Sequence, residues 1–316
     1  MRLATLDNGT PDGALILVSR DAQRFLRVTG TMQQAIECWS DIEPNLRALS
    51  QRLDAGEGEA LDPAHLLAPL PRAWQWLDGS AFPQHGELMQ QAFHLPPIET
   101  DRPLMYQGMS DRFLPGHADV PLPSEADGID FEGEFGIITD AVPMGVTPDR
   151  AMAHIKLVIL INDWSLRAIA PIEMKTGFGW VQAKPACAAA PFAVTPDALG
   201  EAWRDGRVHL PLHVTLNGQW FGHPNGREMA FGFHELVAHA ARTRDLVAGT
   251  IIGSGTVSNA DYAAVGSACL SERRAIEMIE SGAPQTRFMH FGDHIRLEAE
   301  GGIFGAVDQT VVGAWA

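Results

Sequence analysis

Two glutamates interrupt an apolar stretch of this 316-residue chain, and this feature constrains the fold most strongly. Residues 130–138 read Asp-Phe-Glu-Gly-Glu-Phe-Gly-Ile-Ile, a pattern that predicts a strand. Side chains two positions apart on a strand share one face, so Glu132 and Glu134 would lie together. A divalent cation would compensate the two like charges, because Mg²⁺ and Ca²⁺ prefer oxygen ligands. A solvated strand face with two ordinary glutamates is the alternative.

A third acidic residue, Asp163, follows the apolar run 157–161 at the end of a predicted buried element. Burying an unpaired carboxylate is costly, so Asp163 is expected to be paired or metal-bound. Arg167 is one candidate for an ion pair. It could instead hold an anionic substrate through two hydrogen bonds.

Two further segments carry candidate catalytic groups. Asp78 and His85 are seven residues apart, in a segment predicted to begin as a loop and to lead into a helix. Asp78 could complete a ligand set, and His85 could act as a general base because its reference pKa is near neutrality. Lys184 could stabilise a developing oxyanion. Single histidines and lysines are more often structural or surface groups, and the spacing alone leaves both interpretations open.

Composition and charge narrow the class of protein. Hydrophobic residues make up 46% of the chain and the formal net charge is -16, which indicates a globular protein that repels nucleic acid and anionic membranes. Cys38, Cys187 and Cys269 are too few and too widely spaced for a disulfide framework or a thiolate zinc site. No secretory leader or membrane-length apolar run is recognised, so we expect a cytoplasmic protein.

Residues 1–70 are predicted to form a small N-terminal β/α domain, and residues 71–316 a β-rich α+β catalytic domain. Turn signals such as Asn-Gly and Asp-Gly separate the short strands of the first unit, and a helix is expected over Met32–Leu53. In the second unit the predicted strands are Phe131–Thr139, Val208–Leu216, Thr250–Gly253 and His294–Glu298. The predicted helices there are Gly86–Phe93, Thr147–Ile161, Phe233–Arg242 and Gly266–Ile279.

Four motifs resemble those of the fumarylacetoacetate hydrolase family, and the resemblance extends from about Leu67 to the C-terminus. They are Asp-Phe-Glu-Gly-Glu-Phe at 130–135, Ile-Asn-Asp-Trp-Ser-Leu-Arg at 161–167, Pro-Leu-Met-Tyr-Gln-Gly-Met-Ser-Asp at 103–111 and Gly-Ser-Gly-Thr-Val-Ser-Asn at 253–259. The resemblance implies a mixed β-sandwich roll of the fumarylacetoacetase C-terminal type. It also implies that one divalent metal is bound by Asp78, Glu132, Glu134 and Asp163.

The same resemblance implies catalytic and substrate-binding roles. His85 would be the base and Glu272 would assist it, although the Glu272 match needs a shift of two residues. Lys184 and Arg167 would stabilise the oxyanion. The residues that match substrate-binding positions are Tyr106, Gly255 and Thr256.

The implied reaction is metal-dependent hydrolysis of a carbon–carbon bond in a 1,3-diketo acid, fumarylacetoacetate or a related acylpyruvate, in the catabolism of aromatic compounds. Mg²⁺ is the expected metal, with Mn²⁺ or Ca²⁺ as alternatives, and a homodimer is the assembly that the family implies. One alternative is a decarboxylase or isomerase of a 2-oxo dicarboxylic acid on the same metal site. Another is a non-catalytic scaffold that a metal stabilises.

Several departures from the family pattern leave the substrate open. Ala170 replaces a Gln of the oxyanion region, and Met174 and Ser80 replace pocket tyrosines. Near Phe93 and His94 there is no counterpart of an Arg that helps to hold substrate. These losses remove polar contacts to the substrate but leave the expected metal ligands and base in place.

Overall fold

The computed structural model describes residues 1–96 and 100–315. The strands within them are β1 (Arg2–Leu6), β2 (Ala14–Val18), β3 (Arg24–Arg27), β4 (Glu59–Ala60), β5 (Gln75–Ser80), β6 (Leu104–Gly108), β7 (Leu114–Pro115), β8 (Val120–Leu122), β9 (Ile129–Asp130), β10 (Gly133–Thr139), β11 (Ile155–Asn162), β12 (Ser165–Leu166), β13 (Ala188–Ala189), β14 (Ala193–Val194), β15 (Trp203–Arg204), β16 (Arg207–Val208), β17 (Leu212–Leu216), β18 (Gln219–Gly222), β19 (Thr250–Gly253), β20 (His294–Ala299) and β21 (Ala306–Gly313).

The α-helices of the same residues are α1 (Met32–Glu37), α2 (Trp39–Asp54), α3 (Pro83–Phe93), α4 (Pro148–Ala151), α5 (Ala170–Thr176), α6 (Phe233–Ala240), α7 (Tyr262–Val265) and α8 (Leu270–Ser281). No helix among the described residues has both the length and the apolar character that a membrane span requires.

Two mixed sheets form the framework of the described chain. Twelve strands make the larger sheet, in the order β4-β3-β2-β1-β14-β11-β10-β19-β5-β6, with β13 and β7 attached beside β11. Five strands make the smaller sheet, in the order β18-β17-β20-β21-β8. The predicted α+β class with a β-rich sandwich is confirmed.

Side chains that alternate along β10 and β11 pack on both faces of the larger sheet. Phe135 and Val158 belong to the core shared with the smaller sheet, where Leu297 also lies. Ile138 and Leu157 face the other way and pack in a second core that includes residues of β1, β2, α1 and α2. Because the central strands are buried on both faces, their sequences are almost continuously apolar.

The first seventy residues are joined to the rest of the chain by both pairing and packing. Strand β1 pairs with β14 through Arg2 and Leu3, opposite Val194 and Ala193. The amino group of Met1 also donates a 2.6 Å hydrogen bond to the side chain of Thr195. The domain boundary at residue 70 stays a prediction, and one sheet continues across it.

Two predicted elements are wrong. Thr147–Ile161 was expected to be one helix, but the α-helix ends at Ala151 and the apolar run forms strand β11 in the middle of the larger sheet. The segment that carries Asp78 was expected to be a loop, but it forms strand β5. Strand β5 exists through pairing with β19 and β6, whose residues are distant in sequence.

The other predictions differ mainly at their ends. Thr250–Gly253 is a strand with the predicted bounds, and the helix predicted over Met32–Leu53 is divided at Cys38 into α1 and α2. The helix predicted from Gly266 begins at Leu270. The strand predicted over Phe131–Thr139 begins at Gly133, so Glu132 lies just before it.

Candidate metal centre

Three carboxylates converge on one face of the larger sheet. Asp78 lies on β5, Glu134 on β10, and Asp163 directly after β11. Each of the three residues contributes one oxygen that lies within 4.8 Å of the other two, and all three residues are buried. These strands are close neighbours in the sheet, which explains how residues distant in sequence meet here.

Gly253 on β19 leaves space between the carboxylates of β5 and β10. Strand β19 lies between these two strands, and Gly253 is opposite Asp78 in the parallel pair. A Cβ atom at position 253 would lie 2.5 Å from Oδ1 of Asp78 and 2.8 Å from Oε2 of Glu134. Any other residue would therefore fill the space that both carboxylates face.

The donor set fits a divalent metal. Both oxygens of Glu134 are buried and have no hydrogen-bond partner in the described part of the chain. Burial, and then the charges of Asp78 and Asp163, raise the pKa of Glu134 well above its ordinary value. Burial and the charge of Asp163 raise the pKa of Asp78 to about 8. A hard divalent cation would balance these charges with oxygen ligands, so Asp78, Glu134 and Asp163 could hold one.

Asp163 is held by three donors besides any metal. Lys184 Nζ lies 2.6 Å from Oδ2, and the hydroxyl of Tyr106 donates to the same oxygen. The thiol of Cys187 lies 2.9 Å from Oδ1. These contacts fix the orientation of the carboxylate, because each oxygen has a defined partner.

Glu132 lies beside the three converging carboxylates and is occupied by ion pairs. Lys184 Nζ lies 2.9 Å from Oε2, while Arg167 and the hydroxyl of Ser165 donate to Oε1. Burial alone would raise the pKa of Glu132, but Arg167 and Lys184 outweigh it and hold that pKa well below the ordinary value. The role of Glu132 as a fourth metal ligand stays a prediction.

The two cations of the site remain charged despite their burial. Burial would lower the pKa of Lys184, but Asp163 and Glu132 raise it above its ordinary value. Burial would likewise lower the pKa of Arg167, but Glu132 and Asp130 raise it above its ordinary value. Both groups therefore present fixed positive charge next to the carboxylates.

His85 and Glu272 form a pair between two helices. Nδ1 of His85, in the first turn of α3, lies 3.0 Å from Oε2 of Glu272, in the first turn of α8. Glu272 has no exposed surface. Glu132 pairs with Cys269, the residue directly before α8, in an isolated β-bridge, which brings the first turn of α8 and the pair close to Glu132. The role of Glu272 as the residue that assists His85 stays a prediction.

The residues predicted to contact substrate also border the centre. The N–H of Gly255 donates a 3.0 Å hydrogen bond to Oδ1 of Asp78, and Thr256 is buried beside it. Gly255 has a φ of +76°, and a Cβ there would lie 2.4 Å from the carbonyl oxygen of Gly79. This position therefore favours glycine.

Two residues at the site were missed from the sequence. Trp180 stacks on Tyr106 with ring centroids 5.5 Å apart, and Lys184 Nζ lies 5.4 Å from each ring centroid. Cys187 contacts Asp163 as described. Neither residue lies in a charged or polar motif, so the pattern of the sequence held no signal for them. Met174, which replaces a pocket tyrosine, is 59% exposed.

Family models match nearly the whole chain. Residues 75–312 match the model described as fumarylacetoacetate (FAA) hydrolase C-terminal, and residues 1–72 match fumarylacetoacetase N-terminal domain 2. The chain belongs to the fumarylacetoacetate hydrolase family. The resemblance inferred from the four motifs is thereby confirmed.

Curated members of the fumarylacetoacetate hydrolase family differ in activity. The chain is 26% identical over 163 residues to 2,4-didehydro-3-deoxy-L-rhamnonate hydrolase of Sphingomonas sp. (strain SKA58), over 51% of this chain and 54% of that protein. It is 22% identical over 157 residues to the mitochondrial oxaloacetate tautomerase Fahd2a of Rattus norvegicus, over 49% of this chain and 48% of that protein. The chain therefore matches about half the length of these relatives.

Solved structures of the family share the whole fold. Maleylpyruvate hydrolase from Sphingobium sp. SYK-6, in complex with manganese(II) and pyruvate, has a TM-score of 0.69 at 17% identity and covers 99% of both chains. The 5-carboxymethyl-2-hydroxymuconate delta-isomerase from Mycobacterium smegmatis has a TM-score of 0.63 at 19% identity, also over 99% of both. One fold thus serves a hydrolase and an isomerase.

Proposed function

We propose that the chain is a metal-dependent hydrolase that cleaves a carbon–carbon bond in a 1,3-diketo acid of the acylpyruvate type. The observation that carries this proposal is the His85–Glu272 pair beside three buried carboxylates. Hydrolysis needs a base that takes a proton from water, and a histidine held by a buried carboxylate is suited to that task. The hydrolases among the relatives support the same reaction class.

Asp78, Glu134 and Asp163 would hold the metal, with Glu132 as a fourth ligand. A divalent cation bound there would polarise the carbonyl of the substrate and stabilise negative charge that develops on its oxygen. Mg²⁺ is the proposed ion, and Mn²⁺ or Ca²⁺ also suit an all-oxygen ligand set. The relative solved with manganese(II) supports a divalent ion in this family.

The protein groups account for the proton and charge transfers. Nε2 of His85 takes a proton from water, and the resulting hydroxide attacks the carbonyl carbon distal to the carboxylate of the substrate. Lys184 and Arg167 lie beside the carboxylates as fixed positive charges, where they stabilise the tetrahedral oxyanion. When the carbon–carbon bond breaks, the proton on His85 passes to the carbon of the leaving enolate, and two acids result.

The pocket favours a substrate with few polar contacts beyond the reacting diketo acid. Ala170 and Ser80 cannot supply the contacts of the Gln and Tyr that they replace, and Met174 points to solvent. Tyr106 and Trp180 contribute an aromatic wall instead. The identity of the acyl group therefore depends on shape and apolar contact more than on hydrogen bonds. A homodimer and a cytoplasmic location remain predictions.

Isomerisation or tautomerisation of a 2-oxo acid is the second candidate function. The oxaloacetate tautomerase and the delta-isomerase among the relatives favour it, because both belong to the same family. Those reactions move a proton without adding water, so their product has the mass of the substrate. A catalytically inactive scaffold would bind the metal and turn over neither class of substrate.

A substrate panel tests the three functions together. Purified protein with Mg²⁺ or Mn²⁺ is incubated with fumarylpyruvate, fumarylacetoacetate and oxaloacetate, and the products are identified by NMR as well as by loss of the enol absorbance. We expect two acids from an acylpyruvate, and loss of turnover after chelation. Full hydrolysis without metal, or isomers as the only products, would contradict the proposal.

A further inference from the structure

The carboxylate of Asp130, which no role described so far uses, is completely buried and accepts three hydrogen bonds. Leu270 N donates to Oδ1 at 2.7 Å, and Ser271 N donates to Oδ2 at 2.9 Å. Arg167 Nε donates to Oδ2 at 2.8 Å. The residue therefore connects the beginning of helix α8 with a cation of the metal centre.

On the helix side, Asp130 on strand β9 caps the beginning of α8. The first N–H groups of a helix lack partners within it, and negative charge is favoured there. Asp130 accepts hydrogen bonds from the backbone N–H groups of Leu270 and Ser271. The sulfur of Cys269 accepts from the N–H of Glu272 at 3.3 Å. The direction of the first turn, which carries Glu272, thus depends on the carboxylate of Asp130.

On the metal side, Asp130 holds Arg167. Strand β9 pairs with β12 so that Asp130 is opposite Ser165, two residues before Arg167. The guanidinium then donates to Glu132 as well, and Glu132 is bonded to Lys184. Negative and positive groups alternate from Asp130 through these residues to Asp163.

Backbone contacts alone do not account for this link. Gly133 N donates to the carbonyl of Ala268 at 2.9 Å, which fixes the chain before α8. That contact leaves the first N–H groups of the helix without acceptors. Only the Asp130 carboxylate, among the described residues, reaches both these groups and Arg167.

We propose that Asp130 is a positioning residue that holds the His85–Glu272 pair in register with the ion pairs of the carboxylate centre. It acts through Glu272 on one side and Arg167 on the other, and touches neither substrate nor metal. The effect on turnover rests on the proposed function. The hydrogen bonds from the first turn of α8 to Asp130, here called the clamp, do not rest on the proposed function. They can be measured without any substrate.

Amide hydrogen exchange of the full-length protein tests the clamp. In Asp130→Asn an amide N–H₂ replaces one acceptor oxygen and faces donors, so we expect exchange at the start of α8 to quicken by about tenfold or more relative to β2. Asp130→Glu keeps the charge but displaces the oxygens, and is expected to change exchange in the same direction. Unchanged exchange in both variants would overturn the proposal.

Asp293→Asn is the matched control. Asp293, which directly precedes β20, also accepts from an arginine, Arg287, and from the backbone N–H of His290, and none of its donors among the described residues belongs to α8. We expect it to lower overall stability and to leave the exchange of α8 relative to β2 unchanged. Selective exchange at α8 in this variant would also overturn the clamp.

A double-mutant cycle tests the coupling to catalysis. We expect Asp130→Asn to lower kcat by about tenfold or more with KM changed by less than about threefold, and to have little further effect in Glu272→Gln, because the two act together. Full additivity would overturn the coupling. If the wild-type protein hydrolyses no acylpyruvate, the proposed function fails while the exchange result still decides the clamp.

Discussion

Nδ1 of His85 lies 3.0 Å from Oε2 of Glu272, and this contact joins the first turns of two helices. Because Nδ1 is occupied, Nε2 is the ring nitrogen left to exchange a proton with water. The buried Glu272 carboxylate beside Nδ1 fixes the orientation of the ring. The pair thus defines which nitrogen of His85 is free to face water.

Removal of either member of the pair should lower turnover. We expect His85→Ala to reduce kcat on an acylpyruvate by about 10²–10⁴-fold, the contribution typical of a general base. Glu272→Gln should lower kcat by about 10–100-fold. The double variant should have a kcat no lower than that of His85→Ala, because the two residues act as a unit. Steady-state kinetics with Mn²⁺ titration of each variant would measure this.

Asp140→Asn provides the control for that experiment. Oδ1 of Asp140 lies 2.6 Å from Nδ1 of His154. Asp140 directly follows β10, at the opposite end of that strand from Glu134. Its removal should leave kcat within about twofold of the wild type, since it lies away from the carboxylates. A His85→Ala variant with kcat within a few-fold of the wild type would exclude His85 as the base.

Metal binding should stabilise the folded protein. The three buried carboxylates repel one another when ionised, and a cation that binds only the folded state raises its stability. We expect Mn²⁺ or Mg²⁺ at 100 times its Kd to add about 2.7 kcal/mol, which a thermal shift assay detects as a higher Tm. Glu134→Gln should abolish most of that shift, because it removes the carboxylate that has no other partner. An equal shift in wild type and variant would place the ion elsewhere.

Gly253→Ala should damage the centre directly. Its Cβ would lie 2.4 Å from the ring of Trp76 as well as against Asp78 and Glu134. We expect a loss of about 1–3 kcal/mol in the free energy of unfolding, from overpacking, and at least a tenfold weaker affinity for Mn²⁺. Gly86→Ala, which meets nothing within 4 Å, is the stability control. Unchanged metal affinity in Gly253→Ala would contradict the assigned ligand positions.

Acid should weaken the fold partly through Asp293. Burial alone would raise the pKa of Asp293, but hydrogen bonds from Arg287 and the backbone of His290 lower it to about 2. A lowered folded-state pKa means that the stabilisation is present above about pH 4 and is lost as the pH falls towards 2. Asp293→Asn should therefore lower the free energy of unfolding by about 1–2 kcal/mol at pH 7.

The pH dependence of that difference is the measurement. When urea unfolding of wild type and Asp293→Asn is measured at several pH values, the two free energies of unfolding should approach each other between about pH 4 and pH 2, because the unfolded wild type then takes up a proton that the folded protein does not. A constant difference over that range would show that the carboxylate charge of Asp293 is not the cause.

Local sequence patterns predicted part of the candidate site. The two glutamates were placed near each other because both lie in one short segment, and the bounds of Thr250–Gly253 follow from a β-branched run between turns. Asp163 was expected to be paired because it follows a buried run. Each of these inferences depends on residues within about ten positions of one another.

Non-local pairing accounts for what the sequence did not reveal. Strand β5 forms between β19 and β6, and no local pattern marks it. The run 157–161 is apolar on both faces, so its periodicity could not separate a buried helix from a buried strand. The ion pairs of Glu132 also depend on Arg167 and Lys184, which the fold brings from later segments.

The larger sheet has a consequence for how the protein unfolds. Leu3, Leu15 and Trp39 share one core with Ile138 and Leu157, and β1 continues the sheet through β14. Removal of the first seventy residues would expose that core and leave the edge of β14 open to pairing with other chains. We therefore expect calorimetry of the whole chain to record a single heat-absorption peak, and a fragment that begins at residue 71 to aggregate.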